Sequence, residues 1–218
     1  MIKSTQVIQL PSAARAHEQF VRDGFVVATG CLRGPRGTDL IDAARQIADS
    51  AGVAIDHRSG ADGLAYGVVS GDRIETDAPL LFALYTSPEL LNWIRVVTGD
   101  PMVSRSPHRR SAVNINRLTD PGQQYPLHRD AVPYTALLFL TDVPSSAGGE
   151  FLIDTLRGER RSIQPSAGAF VLMDGARCPH GALPLREAAL RLTMPMVFPA
   201  AAAHLNRPEG LDEYLYGR

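Results

Sequence analysis

The second half of the chain, from about residue 102, consists of short apolar runs separated by turn residues. Runs such as YTALLFLTDV, EFLIDT, AFVLMD and LRLTMPMVFP alternate with Gly- and Pro-containing breaks. The breaks recur roughly every eight to twelve residues, which is typical of a β-sandwich or barrel, because each short strand must turn back into its sheet. We therefore predict a β-core over residues 102–200.

The first hundred residues have a different pattern, which is mainly helical. Capping residues and apolar periodicity predict helices over residues 12–24 and 38–52, and two shorter helices in DAPLLFALYT and SPELLNWIRVVTGD. The β-branched run at 25–29 predicts one strand. Residues 53–77 are polar and Gly-rich and predict a long loop or lid. Residues 1–101 are thus expected to form a helical cap with a lid loop, packed on the β-core within a single domain spanning 1–218.

Composition narrows the class of protein. With 22 basic and 23 acidic residues the formal net charge is −1, which argues against nucleic-acid or membrane binding through bulk electrostatics. The two cysteines, Cys31 and Cys178, are too few for a disulfide framework or a cysteine-built zinc site. No apolar run approaches the roughly 20 residues of a membrane span, and the N-terminus lacks the apolar region of a signal peptide. We expect a soluble, cytoplasmic enzyme with a small-molecule partner, and the sequence indicates no oligomeric state.

The residues with the clearest chemical meaning are two histidines and an aspartate. The run PLHRDAV contains His128 and Asp130, and a second histidine, His180, follows in CPHGALPL. If 128–130 continue a strand, the imidazole and the carboxylate emerge on one face. Two imidazoles and one carboxylate form the facial triad that suits non-haem Fe(II), and they leave adjacent coordination positions open.

An arginine follows this triad in the last apolar run. Arg191 and Thr193 lie two residues apart in LRLTMPMVF, so a strand places them on one face. A buried guanidinium can bind the far carboxylate of a dicarboxylic acid through two charge-assisted hydrogen bonds, and a threonine hydroxyl can add a third. The pattern predicts a dicarboxylate site beside the metal.

The motifs around these residues resemble a known family. The stretch from about 110 to 198 contains NRLTDPGQQYPLHRD, YTALLFLTDV, GGEFLI, QPSAGAFVLMD, PHGALPL and RLTMPMVF in that order. It resembles the Fe(II)/2-oxoglutarate-dependent oxygenases, and among them the prolyl 4-hydroxylase-like group. The sequence is also loosely similar to the small-molecule members of this superfamily, the amino-acid hydroxylases and halogenases.

The resemblance implies a mainly β fold with flanking helices (α+β) around a double-stranded β-helix, or jelly-roll, core. It implies that His128, Asp130 and His180 bind Fe(II) and form the catalytic centre. Arg191 and Thr193 are expected to bind 2-oxoglutarate, and dioxygen is the second co-substrate. The implied reaction hydroxylates an unactivated C–H bond and releases succinate and CO2.

Three details refine this expectation. The prolyl 4-hydroxylase-like group often has tyrosines near the co-substrate where Leu118 and Phe139 stand here. Asn114 or Asn116, on the strand before the metal strand, could supply the lost polar contact to the co-substrate or to a substrate. Related halogenases replace the metal-binding aspartate with Gly or Ala, so Asp130 favours hydroxylation over halogenation.

The substrate is expected to be a small metabolite, either a free amino acid or a natural-product intermediate. Besides Asn116, Arg73 in SGDRIETD and Tyr134 after the metal strand are candidate substrate contacts. Two alternatives stay open. One is a cupin-like metal enzyme without 2-oxoglutarate, which would not need Arg191. The other is a jelly-roll ligand-binding module, whose ligand binding would not depend on His128.

Overall fold

Two antiparallel sheets and a layer of helices make up the protein. The computed structural model describes residues 8–51, 53–56 and 65–200. The helices are α1 (Ala13–Asp23), α2 (Gly34–Ala51), α3 (Gly71–Asp77), α4 (Pro79–Tyr85), α5 (Pro88–Thr98) and α6 (Arg109–Ala112). The strands are β1 (Phe25–Ala28), β2 (Val53–Asp56), β3 (Ala65–Val69), β4 (Ile115–Leu118), β5 (Tyr125–His128), β6 (Tyr134–Phe139), β7 (Phe151–Asp154), β8 (Arg160–Ile163), β9 (Phe170–Asp174), β10 (His180–Ala182) and β11 (Arg191–Phe198).

The strands form one large and one small sheet. The large sheet has seven strands in the order β1-β9-β6-β11-β4-β3-β2, and the small sheet has four in the order β5-β10-β7-β8. Neighbouring strands pair antiparallel, and the two sheets pack face to face. The predicted fold class, mainly β with flanking helices around a double-stranded β-helix core, is confirmed.

The first hundred residues contribute more to the sheets than their sequence predicts. They supply three of the seven strands of the large sheet: β1 pairs with β9, while β3 pairs with both β2 and β4. The prediction of a loop over 53–77 is wrong for 53–56, which is β2, for 65–69, which is β3, and for 71–77, which is α3. Pairing with β4 stabilises β3, and such tertiary pairing outweighs a weak local preference. Residues 57–64 of the predicted lid lie outside the described residues.

Local sequence signals predict the end of helix α1 and the start of helix α5 correctly, but not the start of helix α2. Helix α1 ends at Gly24, whose φ of 82° is the left-handed conformation that favours glycine. Helix α5 begins after Ser87, whose Oγ accepts a hydrogen bond from the Leu90 N–H at 3.2 Å. Helix α2 begins at Gly34 rather than at the predicted 38, because the proline that follows Gly34 fits a first helical turn.

The large sheet has two different faces. Leu138 on β6 and Met194 on β11 belong to the core beneath the helices. Phe139, on the opposite face of β6, packs with Phe151 of the small sheet. Because side chains alternate along a strand, Arg191 and every second residue after it on β11 face the space between the sheets. Among the described helices we find no segment with the length and hydrophobicity that a bilayer-spanning helix requires.

Candidate metal centre

Strand pairing brings the two histidines together. His128 is the last residue of β5 and His180 is the first of β10, and the two are direct partners in the antiparallel pairing of these strands. Their ring centroids are 4.4 Å apart. The backbone of the small sheet therefore positions both imidazoles side by side.

Asp130 reaches the histidines from a turn and not from the strand. Strand β5 ends at His128, so the prediction that both side chains emerge from one continuous strand is wrong in this detail. The Asp130 N–H donates to the Gly175 carbonyl at 2.9 Å, which ties the backbone of Asp130 to the end of β9. Asp130 Oδ1 then lies 3.5 Å from His128 Nε2 and 3.6 Å from His180 Nε2.

Both imidazoles are oriented by backbone carbonyls. His128 Nδ1 lies 2.9 Å from the Pro126 carbonyl oxygen, and His180 Nδ1 lies 2.9 Å from that of Cys178. A carbonyl can only accept a hydrogen bond, so each Nδ1 carries a proton, and in the neutral form of each ring Nε2 has the free lone pair. This is the tautomer in which Nε2 can bind a metal.

The charges of the three groups depend on burial and on each other. Burial lowers the pKa of His180, and this effect prevails over the nearby Asp130 carboxylate. Burial also lowers the pKa of His128. Its hydrogen bonds with Asp130 and with the Pro126 carbonyl outweigh this effect, so the pKa of His128 is raised overall. Burial would raise the pKa of Asp130, yet the two imidazoles and the Thr135 hydroxyl hold it below its usual range. The carboxylate therefore stays ionised.

The three ligand atoms fit a single metal ion. One atom from each of His128, Asp130 and His180 lies within 4.8 Å of the others. The nearby Cys178 is not part of this cluster, because its Sγ lies 3.9 Å from the Asp23 carbonyl oxygen. Two imidazole nitrogens with one carboxylate oxygen are the donor set of the facial triads that hold non-haem Fe(II).

A cavity of about 140 Å³ opens between the two sheets next to the triad. Its apolar lining comes from six strands and consists of Leu118, Leu137, Phe151, Met173, Ala182, Pro195 and Val197. Its polar lining outside the triad consists of Asn114, Asn116, Tyr125, Thr135, Arg191 and Thr193.

Arg191 is a buried cation in this cavity. It lies at the end of the cavity that β4 and β11 line. Only 3% of the residue is exposed, and burial lowers the pKa of its guanidinium to about 10. Its Nε donates to the Gly149 carbonyl at 2.8 Å, and its guanidinium carbon lies 5.8 Å from the Phe139 ring centroid. Within the described ranges no carboxylate forms an ion pair with it. A buried charge without a counterion favours binding of an anion.

The turn that provides the Gly149 carbonyl depends on glycine. Gly149 has a φ of 70°, and a β-carbon there would lie 2.8 Å from Leu185 Cδ2 and 3.2 Å from Arg191 Cδ. Any side chain at this position would therefore displace the Arg191 stem. The GGE run is visible in the sequence, but its contact with Arg191 is not.

Comparison with protein families identifies the chain. A family model described as HalD, Halogenase D, matches residues 9–156, about two thirds of the sequence. The chain belongs to the Halogenase D family. The match includes His128 and Asp130 and ends before His180 and Arg191. No curated protein matches the chain.

Several solved structures have a similar fold. AviO1 from Streptomyces viridochromogenes Tue57 is 19% identical, with a TM-score of 0.67, covering 92% of this chain and 100% of that one. The non-haem alpha-ketoglutarate-dependent epimerase SnoN from nogalamycin biosynthesis is 18% identical, with a TM-score of 0.67, covering 87% and 84%. A prolyl hydroxylase from Trichoplax adhaerens, in complex with a hypoxia inducible factor peptide, is 13% identical, with a TM-score of 0.69, covering 88% and 90%. In its fold, the resemblance to the Fe(II)/2-oxoglutarate oxygenases with a prolyl 4-hydroxylase-like core is confirmed.

In this Halogenase D family chain, most of the residues selected from the sequence lie together. Thr193 lies beside Arg191 on the cavity face of β11, and its backbone partner across the β11–β4 pairing is Asn116. Asn114 lies on the segment before β4 and also lines the cavity. Leu118 is the partner of Arg191 and is apolar, as the sequence indicates.

Two predicted substrate contacts lie elsewhere. The side chain of Thr135 lines the cavity, so the adjacent Tyr134 faces the other side of β6, where its hydroxyl donates to Asp100 Oδ2 at 3.4 Å. Arg73 lies on α3 and not on a loop; its guanidinium pairs with Asp77 at 2.6 Å and its side chain is 57% exposed. Neither residue is part of the cavity lining.

A tyrosine that is not among the predicted site residues also reaches the cavity. Tyr125 on β5 lines it, and its ring centroid lies 5.0 Å from that of His128. Its hydroxyl accepts a hydrogen bond from Tyr66 of β3, and burial raises its pKa, an effect that this bond partly offsets. A polar aromatic group therefore approaches the cavity from β5, although Leu118 and Phe139 are apolar. Its position three residues before His128 is the only signal that the sequence offers.

Proposed function

We propose that this chain is an Fe(II)/2-oxoglutarate-dependent oxygenase that hydroxylates an unactivated C–H bond of a small metabolite. The reaction consumes substrate, 2-oxoglutarate and dioxygen, and it yields hydroxylated substrate, succinate and CO2. One oxygen atom of dioxygen enters the product and the other enters succinate. The observation that carries the proposal is that one cavity contains both a His–Asp–His triad and a buried arginine with no carboxylate partner among the described residues.

The triad residues are the proposed iron ligands. His128 and His180 would bind through Nε2, and Asp130 through Oδ1. When bound, Fe(II) supplies the activation of dioxygen that is coupled to the decarboxylation of 2-oxoglutarate. The protein holds the ligands in place, and the apolar strands around the cavity keep water away from the reacting C–H bond.

Arg191 and its neighbours are the proposed site for 2-oxoglutarate. The guanidinium would accept the carboxylate far from the metal, with Thr193 adding a hydroxyl donor. Asn114, and Tyr125 from the opposite sheet, are further polar groups that could contact the co-substrate. This use of Arg191 favours an oxygenase over a cupin-like enzyme without 2-oxoglutarate, which has no need for a buried arginine. The orientation of both imidazoles toward one point favours a metal enzyme over a ligand-binding module.

Hydroxylation and halogenation both have to be considered, because the description of the family names a halogenase. A halogenase of this superfamily needs a metal position vacated by the aspartate. Asp130 is present, ionised and oriented toward both imidazoles. These features support hydroxylation.

For the substrate we propose a small metabolite, either a natural-product intermediate or a free amino acid. Arg191 is the only arginine or lysine among the described residues that line the cavity, and the co-substrate would occupy it. Among the described lining residues, Asn116 is the neutral polar group left to contact the substrate, because the Thr135 hydroxyl donates to Asp130. This lining supports a natural-product intermediate, which can be neutral, more than it supports a free amino acid.

The decisive experiment is a screen of metabolites with the Fe(II)-loaded full chain in the presence of 2-oxoglutarate, air and chloride. Succinate release and product mass are measured together by mass spectrometry. We expect substrate-dependent succinate and a product with one added oxygen atom. Replacement of hydrogen by chlorine would identify a halogenase, and a product of unchanged mass would identify an epimerase. If no compound causes succinate release while the protein binds a metal, the 2-oxoglutarate assignment is wrong.

A further inference from the structure

We propose that Thr135 and Gly175 are positioning residues that hold Asp130 in one orientation, with Oδ1 toward the metal and Oδ2 toward the protein. The inference rests on the proposed function, because it concerns the same metal centre. It assigns roles to two residues that are not metal ligands themselves and that lie on different parts of the chain.

Thr135 binds the oxygen that does not face the histidines. Its Oγ1 donates to Asp130 Oδ2 at 2.6 Å, and only 4% of Thr135 is exposed. Hydrogen bonds from a hydroxyl to a carboxylate at this distance are among the stronger ones in proteins. The other oxygen, Oδ1, is the one that lies 3.5 and 3.6 Å from the two imidazole Nε2 atoms. The two carboxylate oxygens therefore have different partners.

Gly175 restricts the position of the Asp130 carboxylate, because the two residues lie too close together for a side chain at 175. Its carbonyl accepts the Asp130 N–H at 2.9 Å, so the two backbones are in direct contact. A β-carbon added at Gly175 would overlap Asp130 Oδ2 and would lie 2.9 Å from Cγ and 3.1 Å from Cβ. Gly175 is not among the glycines with positive φ, so alanine suits its backbone conformation. Glycine is needed here because any larger residue would displace the carboxylate.

The two contacts come from neighbouring strands of the large sheet. Thr135 lies at the start of β6, and Gly175 directly follows β9, whose last residue pairs with Tyr134. The orientation of Asp130 is thus fixed by the sheet before any metal binds. A carboxylate that ligates through one oxygen occupies one position, and three of the six positions of an octahedral ion stay open.

The test is metal binding by the full chain without substrate, so it does not depend on turnover. The dissociation constant for Co²⁺ is measured by titration calorimetry, and the visible absorption of the Co²⁺ complex reports its coordination. For Gly175→Ala and Thr135→Val we expect binding weaker by about 10- to 100-fold, the usual cost of losing a group that supports a metal ligand. The absorption band should shift as well. Thr135→Ser retains the hydroxyl and should restore both values.

Two controls separate positioning from general damage. Gly67→Ala on β3 is the matched glycine variant, because Gly67 also lacks a positive φ and an added β-carbon would meet the Arg117 stem at 3.2 Å. It should bind Co²⁺ like the unchanged protein. Adding Gly175→Ala to Asp130→Gly should cause no further loss, because the group it displaces is already gone.

The result that overturns the inference is Co²⁺ binding and absorption unchanged in both Gly175→Ala and Thr135→Val. A full additional loss from Gly175→Ala in the Asp130→Gly background would overturn it too. If Gly175→Ala does not fold, Thr135→Val with its serine rescue decides alone. These outcomes differ from failure of the proposed function, in which Co²⁺ binds as expected but no substrate gives succinate.

Discussion

The two ends of the cavity balance their charges in opposite ways. At the triad, the Asp130 carboxylate lies between two imidazoles and a hydroxyl donor, so its charge has partners within the protein. At the other end, Arg191 is more deeply buried and is bound by a single carbonyl. The comparison shows that one end is assembled in advance, whereas the other is completed only by an anionic ligand.

The largest effect should come from the assembled end. Asp130→Ala removes a proposed metal ligand and leaves the half-buried His128 and the buried His180 without their carboxylate. We expect metal affinity to fall by more than the roughly 100-fold that loss of a supporting group costs, and product formation to fall to background. Calorimetric metal titration and succinate release test both. Activity that survives this change would show that the carboxylate is not a ligand.

A substitution of Arg191, at the end of the cavity that lacks an anion, should weaken binding of 2-oxoglutarate without lowering the free energy of unfolding. Arg191→Met removes the cation but keeps an unbranched side chain. We expect the KM for 2-oxoglutarate to rise by about one to two orders of magnitude, since a charged hydrogen-bonded contact of a few kcal/mol is lost. The free energy of unfolding without ligands should not fall, because an uncompensated buried charge is removed. An unchanged KM, measured by succinate release over a range of 2-oxoglutarate concentrations, would exclude Arg191 from this site.

Ligand binding should stabilise the protein through the same arginine. Free 2-oxoglutarate at about 100 times its dissociation constant should add about 2.7 kcal/mol to the free energy of unfolding of the metal-loaded protein. In Arg191→Met the same concentration should add much less. Denaturant titration with and without the compound measures this, and equal stabilisation of both proteins would place its carboxylate elsewhere.

Acidity should weaken metal binding at the assembled end. A protonated imidazole cannot bind a metal, so affinity should decline as the pH falls through the pKa of His128 in the metal-free protein. Asp130 holds this pKa above its usual value, so the decline should begin at a higher pH than for an unperturbed imidazole. His180 has the opposite shift and should add its effect at lower pH. The dissociation constant for Co²⁺ should therefore rise as the pH is lowered through this range. A dissociation constant that does not change with pH would contradict the assignment of the two histidines as metal ligands.

The smallest effect belongs to a residue outside the cavity. Arg73→Ala breaks an exposed ion pair between residues four apart on α3, which is worth no more than about 0.5 kcal/mol. The KM for a substrate should not change. A substantial rise in that KM would indicate that Arg73 binds a substrate carboxylate, as the sequence predicts. It would contradict the position of Arg73 outside the cavity in the structure.

Part of this site could be predicted from sequence because its residues lie in strongly patterned segments. His180 begins β10 and Arg191 begins β11, and the alternation along β11 correctly places Thr193 beside Arg191. The spacing correctly places Asp130 beside His128, but the strand that was expected to continue to Asp130 ends at His128. The Asp130 N–H is instead bound by the carbonyl of Gly175, which is distant in sequence. The contacts of Gly175 and Tyr125 depend on residues from other strands, and no local pattern encodes such contacts.

The fold was predictable to a similar extent. The apolar strands β6 and β9 stand out because both are buried on two faces. Strand β3 does not, since its sequence AYGVV is short and contains a glycine, and its pairing with β4 provides what local preference lacks. Tyr134 was misplaced for a related reason: the sequence shows that residues alternate along β6, but not which set faces the cavity.

Because the first hundred residues supply strands of the large sheet, the chain cannot be cut at residue 102 without removing part of that sheet. A fragment beginning at residue 102 would lack β1 and β3, so β9 and β4 would become bare edges. Exposed edges of apolar strands recruit other chains, and such a fragment should aggregate during expression. The half that contains the triad must therefore be produced together with the first hundred residues, and a screen of truncated forms should find no well-folded one that begins there.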